Sequence, residues 1–296
     1  MPKTEIKTLT PVVLDLPMLG ESLSDYTGEQ TRIPRLQVPT IRVSYKSEDD
    51  DTKVAPKGEF IEYDFETKES KPLGKKISIQ ILHHRQSLSA YKNEESYYTP
   101  EVSMKTKNLS LFVRSKGKDG KSKIQFLMSG DIKSIREAYP DLRYQRSLYV
   151  LHDGKLKNLV VYGASFGGYI EFQKELKGQS SSAVHVELTT TKEKTGTVIY
   201  YPIVFSAGAK VDMKLAEPTL KQLSDWFGQY DLAVAKQMAD RAEEAAVNRG
   251  DKNSVYDHEP TKLPPAKDAA ITEEEADNLF GENKKVTPEE AEEHLG

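Results

Sequence analysis

Residues 156–176 read LKNLVVYGASFGGYIEFQKEL and carry three local signals that agree with one another. The apolar run 156–162 contains β-branched side chains and predicts a largely buried strand. The glycines within 163–168 allow a sharp reversal of the chain. Residues 169–176 then repeat aromatic and aliphatic side chains at helical spacing. We therefore expect a strand, a glycine turn and a short helix in succession.

Strand patterns dominate the sequence on both sides of this segment. Residues 183–191 and 197–205 predict a β-hairpin. Residues 32–45 alternate apolar and basic side chains, and Pro34 and Pro39 favour an edge strand or an extended segment there. Further strands are predicted over 58–65, 76–82, 109–114, 123–128 and 142–151. The sequence therefore predicts a mostly β (α+β) protein.

Composition divides the chain into four parts. They are a flexible N-terminal arm (1–30), a β-rich domain (31–210), an amphipathic helix (217–246) and a disordered linker with an acidic tail (247–296). The helix prediction rests on apolar side chains that recur every three or four residues, namely Leu220, Leu223, Phe227, Tyr230, Val234 and Met238. We expect this helix to lie on the β-rich domain.

The composition excludes several classes of protein. The chain has no cysteine, which excludes disulfides, thiolate metal sites and cysteine nucleophiles. Its apolar runs are too short to span a bilayer, and residues 1–5 do not resemble a secretory leader. We therefore expect a cytoplasmic protein that has no membrane partner and needs no cofactor.

Charge is distributed unevenly along the chain. From residue 240 to the end there are 16 acidic and 7 basic side chains, a net charge of −9. That leaves 35 basic and 30 acidic side chains in residues 1–239, a net charge of +5. A basic body suits a polyanionic ligand, and an acidic tail can compete for the same surface or recruit partners.

Ser165 lies in a five-residue pattern found in hydrolases. Gly163, Ser165 and Gly167 fit G-x-S-x-G, the nucleophile elbow of α/β-hydrolases, between a strand and a helix. The predicted helix is short, however, and a hairpin rather than a βαβ unit follows it. We therefore favour a structural turn in which Ser165 caps the helix. A serine hydrolase that uses Ser165 remains an alternative.

Tyrosines and basic side chains are interleaved through the β-rich domain. Unstacked bases bind flat aromatic faces, and phosphates bind lysine and arginine, so this mixture favours a flexible polyanion. The candidate platforms are Tyr91, Tyr97, Tyr98, Tyr144, Tyr149, Tyr200 and Tyr201. The candidate phosphate contacts are Arg85, Lys92, Arg114, Lys116, Lys118, Arg143 and Arg146. Strand 142–151 places Tyr144 and Arg146 on one face, which we expect to remain partly open to solvent.

Four short stretches resemble a family of bacteriophage single-stranded DNA-binding proteins. They are RIPRL (32–36), GEF (58–60), KNLVVYGAS (157–165) and VIYYPIVF (198–205), and the resemblance covers about residues 30–210. It implies an OB-like β-barrel or sandwich and binding of single-stranded DNA. Some members carry cysteine pairs suggestive of zinc, but this chain has no cysteine, so no metal is carried over. Such proteins often recruit replication partners through an acidic tail with an apolar tip, which Asp277, Leu279 and Phe280 resemble.

Together these observations favour a non-catalytic protein that binds single-stranded DNA with little sequence preference. We expect it to act in replication or recombination of a phage or mobile element, with replication or recombination proteins bound by its tail. Self-association into a homo-oligomer stays open. The first alternative is a structural or scaffolding phage protein, which would assemble with itself and show no salt-sensitive binding of DNA.

Overall fold

The computed structural model describes residues 12–16, 36–45, 55–116 and 122–248, although not the side chains of residues 122, 123 and 241–248. The strands within these ranges are β1 (Thr40–Val43), β2 (Phe60–Tyr63), β3 (Ser70–Gly74), β4 (Ile77–Lys92), β5 (Glu95–Tyr98), β6 (Val102–Ser103), β7 (Leu109–Lys116), β8 (Ser122–Gly130), β9 (Arg143–His152), β10 (Lys155–Tyr162), β11 (Val184–Thr190), β12 (Glu193–Thr195), β13 (Val198–Tyr200) and β14 (Ile203–Lys210). The helices are α1 (Ile132–Ala138), α2 (Ala164–Glu175) and α3 (Met213–Asn248).

Twelve of these strands form one mixed sheet. Its main path runs β3-β2-β1-β10-β9-β4-β5-β7-β8. Off this path, β6 and β11 each pair with β4, and β14 pairs with β11. β1 and β10 are parallel, and the other pairs are antiparallel. The mostly β class with a long C-terminal helix is confirmed. Among the described strands the sheet is not a closed barrel, because β3 and β8 end the path without pairing to each other.

β1 lies inside the sheet rather than at its edge, which corrects the prediction from Pro34 and Pro39. It pairs with β2 on one side and with β10 on the other. Pro39 precedes the first paired residue, so its missing N–H costs no ladder bond. Its carbonyl accepts a hydrogen bond from the Asn158 N–H at 2.9 Å.

The segment 156–176 folds much as predicted, with a longer helix. β10 is followed directly by α2, which begins at Ala164 rather than at residue 169. Gly163 adopts φ 55° at the turn, where a side chain is disfavoured. The prediction that Ser165 caps the helix is wrong, because Gly163 is the N-cap and Ser165 Oγ instead accepts a hydrogen bond from the Ile203 N–H at 2.9 Å. This bond ties α2 to the start of β14.

The predicted hairpin of 183–191 with 197–205 is wrong in its second strand, because β11 pairs with residues 203–210, from Thr190 opposite Ile203 to Val184 opposite Lys210. β11 and β14 pair antiparallel over most of their length. Between them β12 and β13 form a separate two-stranded ribbon. The exposed aliphatic side chains of this ribbon are Val198 and Ile199.

The core lies on both faces of the sheet. One face packs on α2, whose buried rings are Phe166, Tyr169 and Phe172. On the other face α3 buries the side chains that the sequence assigned to its apolar stripe, including Leu223, Phe227, Tyr230 and Val234. α3 runs as a single helix from Met213 to Asn248 and so extends beyond the predicted 217–246.

Part of the predicted N-terminal arm is held against α3. Leu14 is buried, its N–H donates to Gln222 Oε1 at 3.0 Å, and Gln222 Nε2 donates to its carbonyl at 2.7 Å. Thr219 donates to the Val12 carbonyl at 2.6 Å. The prediction of a flexible arm is therefore corrected for residues 12–16. The predicted tail 249–296, with Asp277, Leu279 and Phe280, lies outside the described residues, as does Lys118.

In the ranges that the structure describes, no helix is both long enough and apolar enough to cross a membrane.

Candidate functional site

A large groove lies over the part of the sheet formed by β1, β10, β9, β4, β5 and β7. Its volume is about 1760 Å³, and it is partly open to solvent. Trp226, Phe227 and Tyr230 of α3 close one end. A groove of this volume is larger than most drug-sized ligands need, so it suits an extended ligand.

Small polar side chains form the floor of the groove. Side chains alternate between the two faces of a strand, so every second residue of β4 and β9 points into the groove. Ser87 lies opposite Gln145 and Ser89 lies opposite Arg143 in the antiparallel ladder. Ser147 continues the same face of β9. These short side chains leave space above the sheet and offer hydrogen-bonding groups.

Four aromatic side chains among the described residues are largely exposed, and all four line this groove. The exposed fraction is 53% for Tyr45, 49% for Phe65, 74% for Tyr91 and 45% for Tyr162. Single exposed apolar residues are ordinary on a protein surface, but their concentration in one groove marks a binding surface. Exposed rings in a polar groove provide flat faces on which a planar ligand can stack.

The groove carries an excess of positive charge. Among the residues that the structure describes, four cations line it, against the two carboxylates of Asp141 and Glu101. Two of the cations lie over rings: the Arg42 guanidinium is 4.5 Å from the Tyr63 ring centroid, and that of Arg114 is 5.4 Å from the Tyr98 centroid. The other two cations are Lys92 and Arg143. Such contacts hold each guanidinium in place while its N–H groups can still bind an anion.

The Lys92 ammonium forms an ion pair at the rim of the groove. Its Nζ is 2.6 Å from Asp141 Oδ2, and both side chains are 59% exposed. An exposed pair of this kind contributes little to stability, about 0–1 kcal/mol. A phosphate can therefore replace Asp141 at small cost.

Eight of the fourteen predicted nucleic-acid contacts line the groove. They are Tyr91, Lys92, Tyr97, Tyr98, Arg114, Arg143, Tyr149 and Tyr200. Tyr149 is the deepest of them, only 3% exposed, and its hydroxyl donates to Glu101 Oε2 at 3.0 Å. Tyr149 therefore forms part of the base of the groove rather than an open platform.

Three predicted contacts are buried, which corrects their assignment to the surface. Arg85 is fully buried, and its guanidinium donates to Asp231 of α3 and to the Glu101 carbonyl. Tyr144 and Arg146 face α2, where the Arg146 guanidinium lies 5.2 Å from the Phe166 ring centroid. The prediction that this face of β9 stays partly open is wrong, because aromatic rings of α2 cover it.

Two further predicted contacts lie outside the groove. Tyr201 packs against the backbone of Gly58 and edge-on against Tyr45. Lys116 is exposed at the end of β7 but does not line the groove.

Sequence reasoning missed four groove residues, Arg42, Tyr45, Phe65 and Tyr162. Tyr162 ends the run 156–162, which reads as uniformly buried. The strand in fact alternates, with Leu159 and Val161 buried and Tyr162 exposed. This alternation is the signal from which the exposure of Tyr162 could have been predicted. The position of Arg42 depends on the parallel pairing of β1 with β10, which no local pattern indicates.

Three tyrosines that line the groove have a raised pKa and are protonated at neutral pH. Burial raises the pKa of Tyr45, and the nearby Tyr162 phenol raises it further. Burial, followed by the Glu101 carboxylate, raises the pKa of Tyr149 well above its ordinary value. The hydrogen bond to Glu95 raises the pKa of Tyr97. These rings are therefore uncharged, which suits them to contact with bases beside negatively charged phosphates.

The environment of Ser165 gives no support to nucleophilic catalysis. Ser165 lines the groove, and its Oγ is engaged by the backbone of Ile203. Within the described part of the chain, no hydrogen bond joins it to a histidine or a carboxylate, which would be needed to activate it. The same ranges contain no group of three or more acidic or histidine side chains placed to hold a metal ion.

Comparison of the chain with protein-family models, with curated proteins and with solved structures gives no match.

Proposed function

We propose that this protein binds single-stranded DNA without catalysis and with little sequence preference. One observation carries the proposal: the exposed aromatic rings of the described residues all lie in one groove that has more cations than carboxylates. We further propose that it acts in replication or recombination of a phage or mobile element, in the cytoplasm of the host cell. Its acidic tail is proposed to recruit replication or recombination proteins.

The chemistry of the groove favours single strands over duplex. In a duplex the faces of the bases are stacked on one another, whereas a single strand can place them on protein rings. Each such stack contributes about 1–3 kcal/mol and depends little on which base is present. Cations in the same groove bind phosphates regardless of sequence, and their contribution falls as salt rises.

The OB-like character implied by the resemblance over residues 30–210 is part of this proposal. An OB domain binds single strands on an open face of its strands. The open sheet described above offers such a face without closing into a barrel. We further propose that the protein associates into a homo-oligomer.

The proposal is tested by fluorescence anisotropy with a labelled dT oligonucleotide, single-stranded and annealed to its complement, at 0.05 and 0.3 M salt. We expect tighter binding to the single strand and weaker binding at the higher salt concentration. Tyr91→Ala and Tyr162→Ala should each weaken binding by about 1–3 kcal/mol. Tyr91→Trp should preserve it, because a flat ring is retained.

Leu232→Ala is the matched control, because Leu232 is 50% exposed on α3 and does not line the groove. Equal loss in this control and in the ring variants would count against the groove. Self-assembly of the wild-type protein with no salt-sensitive binding of DNA would favour the scaffolding alternative. Labelling of Ser165 by a fluorophosphonate would favour the hydrolase.

A further inference from the structure

Five side chains in the groove alternate between cation and ring in the order in which the sheet presents their strands. They are Arg42 on β1, Tyr162 on β10, Arg143 on β9, Tyr91 on β4 and Arg114 on β7. Between β4 and β7 the intervening strand is β5, which presents Ser96 and Tyr98. A single-stranded nucleic acid has the same alternation, with a phosphate between successive bases.

The register of the strands fixes how this row crosses the sheet. Tyr162 lies opposite Gln145, which in turn lies opposite Ser87. Arg143 is paired two residues further along β4, opposite Ser89. Each of these steps across the sheet therefore also moves the row along the strands in one direction.

Tyr91 is two residues beyond Ser89 along β4, which continues the same movement. Tyr91 lies opposite Ser96 and Ser96 lies opposite Arg114, so the last two steps cross the strands without further movement along them. At the near end, Arg42 follows Ile41, which pairs with Leu159, so Arg42 is at the level of Val160, two residues before Tyr162. The row is therefore diagonal from Arg42 to Tyr91 and then perpendicular to the strands as far as Arg114.

The length of the row follows from strand geometry. It spans five steps between strands and about six residues along them, which gives a diagonal of about 30 Å. Binding domains of this kind cover ~4–16 nucleotides, and 30 Å corresponds to the short end of that range.

The cations at the two ends are accessible for binding an anion. Arg42 is exposed, and Arg114 is half-buried. Both guanidinium groups are held over rings, as described above, so their positions are defined before a ligand arrives.

We propose that a single DNA strand crosses the sheet along this diagonal, from Arg42 to Arg114. Phosphates bind Arg42, Arg143 and Arg114, and bases stack on Tyr162 and Tyr91. This inference rests on the proposed function and specifies the path and length of its ligand. The α3 end of the groove, with Trp226 and Phe227, lies off the path.

The test measures affinity for dT3 and dT12 as a function of salt, with the wild-type protein and with Arg42→Gln and Arg114→Gln. Loss of one phosphate contact on a single strand lowers the slope of log K against log salt by about 0.7, which is about fivefold in affinity at 0.1 M salt. We expect each variant to show this loss with dT12. dT3 is too short to reach both Arg42 and Arg114. With dT3 we therefore expect each variant to lower log K by at most about half as much as it does with dT12.

Lys155→Gln and Lys116→Gln are the matched controls, because these exposed lysines are on β10 and β7 but do not line the groove. They should retain the wild-type slope. Circular dichroism and thermal unfolding identify any variant that does not fold, and Arg42→Met and Arg114→Met, which keep an unbranched side chain but remove the charge, then replace it.

The outcomes separate the two levels of the proposal. If the wild-type protein binds neither oligonucleotide in a salt-dependent way, the proposed function is wrong and the path falls with it. If it binds dT12 but the end variants behave like the lysine controls, or lose as much affinity for dT3 as for dT12, the diagonal path is wrong and DNA binding stands.

Discussion

The guanidinium of Arg85 donates hydrogen bonds to both carboxylate oxygens of Asp231, with Nη1 2.8 Å from Oδ2. Arg85 is on β4 and fully buried, and Asp231 is on α3 with a side chain 24% exposed. The guanidinium also lies 4.6 Å from the Phe227 ring centroid. A residue that the sequence suggested as a phosphate contact thus fixes α3 over one end of the groove.

Removal of Asp231 should destabilise the protein strongly. Asp231→Ala leaves the Arg85 charge buried without its counterion, and breaking such a pair costs about 3–5 kcal/mol. Urea unfolding followed by circular dichroism measures the loss. The matched control is Asp225→Ala on the same helix, which removes an exposed pair with Lys221 and should cost at most about 0.5 kcal/mol. Equal losses in the two variants would show that the buried pair does not anchor α3.

The sequence predicted the elements better than their partners. Periodicity is a local property, so β10, α2 and the buried stripe of α3 could be read from the residues themselves. Burial of Arg146 could not be read, because it depends on rings of α2 that fold back over β9. The groove also requires β1, which lies beside β10 through a parallel pairing of segments that are far apart in the sequence. Tyr91 and Arg143 were predicted as contacts, whereas Arg42 needed the sheet to bring it beside them.

Acidic pH should destabilise the fold through two adjacent histidines. Burial, followed by the Arg85 charge, lowers the pKa of His83 to about 4. Burial is the main cause of the low pKa of His84, and the charges of Arg146 and His83 contribute to it. Together they lower this pKa to about 3. His83 stacks on Phe227 at 4.7 Å, and His84 is hydrogen-bonded to Tyr169 and Ser181.

Because these pKa values lie below the ordinary value of about 6.5, the unfolded chain binds the extra protons first as pH falls. The stability that each neutral histidine contributes is therefore fully present above pH 6.5. It decreases below that pH, down to about pH 4 for His83 and about pH 3 for His84, by up to about 1.4 kcal/mol per pH unit for each histidine. Urea unfolding at pH 7.5, 6 and 4.5 measures this slope. His83→Phe keeps a ring against Phe227 and should reduce the slope, and an unchanged slope would exclude His83 as a cause.

Neutralising Asp141 should strengthen DNA binding rather than weaken it. The Asp141 carboxylate is 2.6 Å from the Lys92 ammonium at the groove rim and repels a phosphate there. Asp141→Asn removes the ion pair with Lys92 and the repulsion of a phosphate. We therefore expect affinity for DNA to rise about fivefold at 0.1 M salt, the value of one phosphate contact on a single strand. Anisotropy with dT12 measures it. Asp225→Asn, at an exposed pair on α3, is the control and should leave affinity unchanged.

Removal of the acidic tail should maintain or raise affinity for DNA. Residues 249–296 contain 13 acidic and 6 basic side chains, a net charge of −7. We expect this charge to compete with phosphates for the cations of the groove in the intact chain, and the competition to weaken as salt screens it. A chain ending at Asn248, the last residue of α3, should therefore bind dT12 at least as tightly as the full chain at 0.05 M salt. The two should converge at 0.5 M salt. A large loss of affinity on truncation would instead mean that the tail contributes to the binding surface.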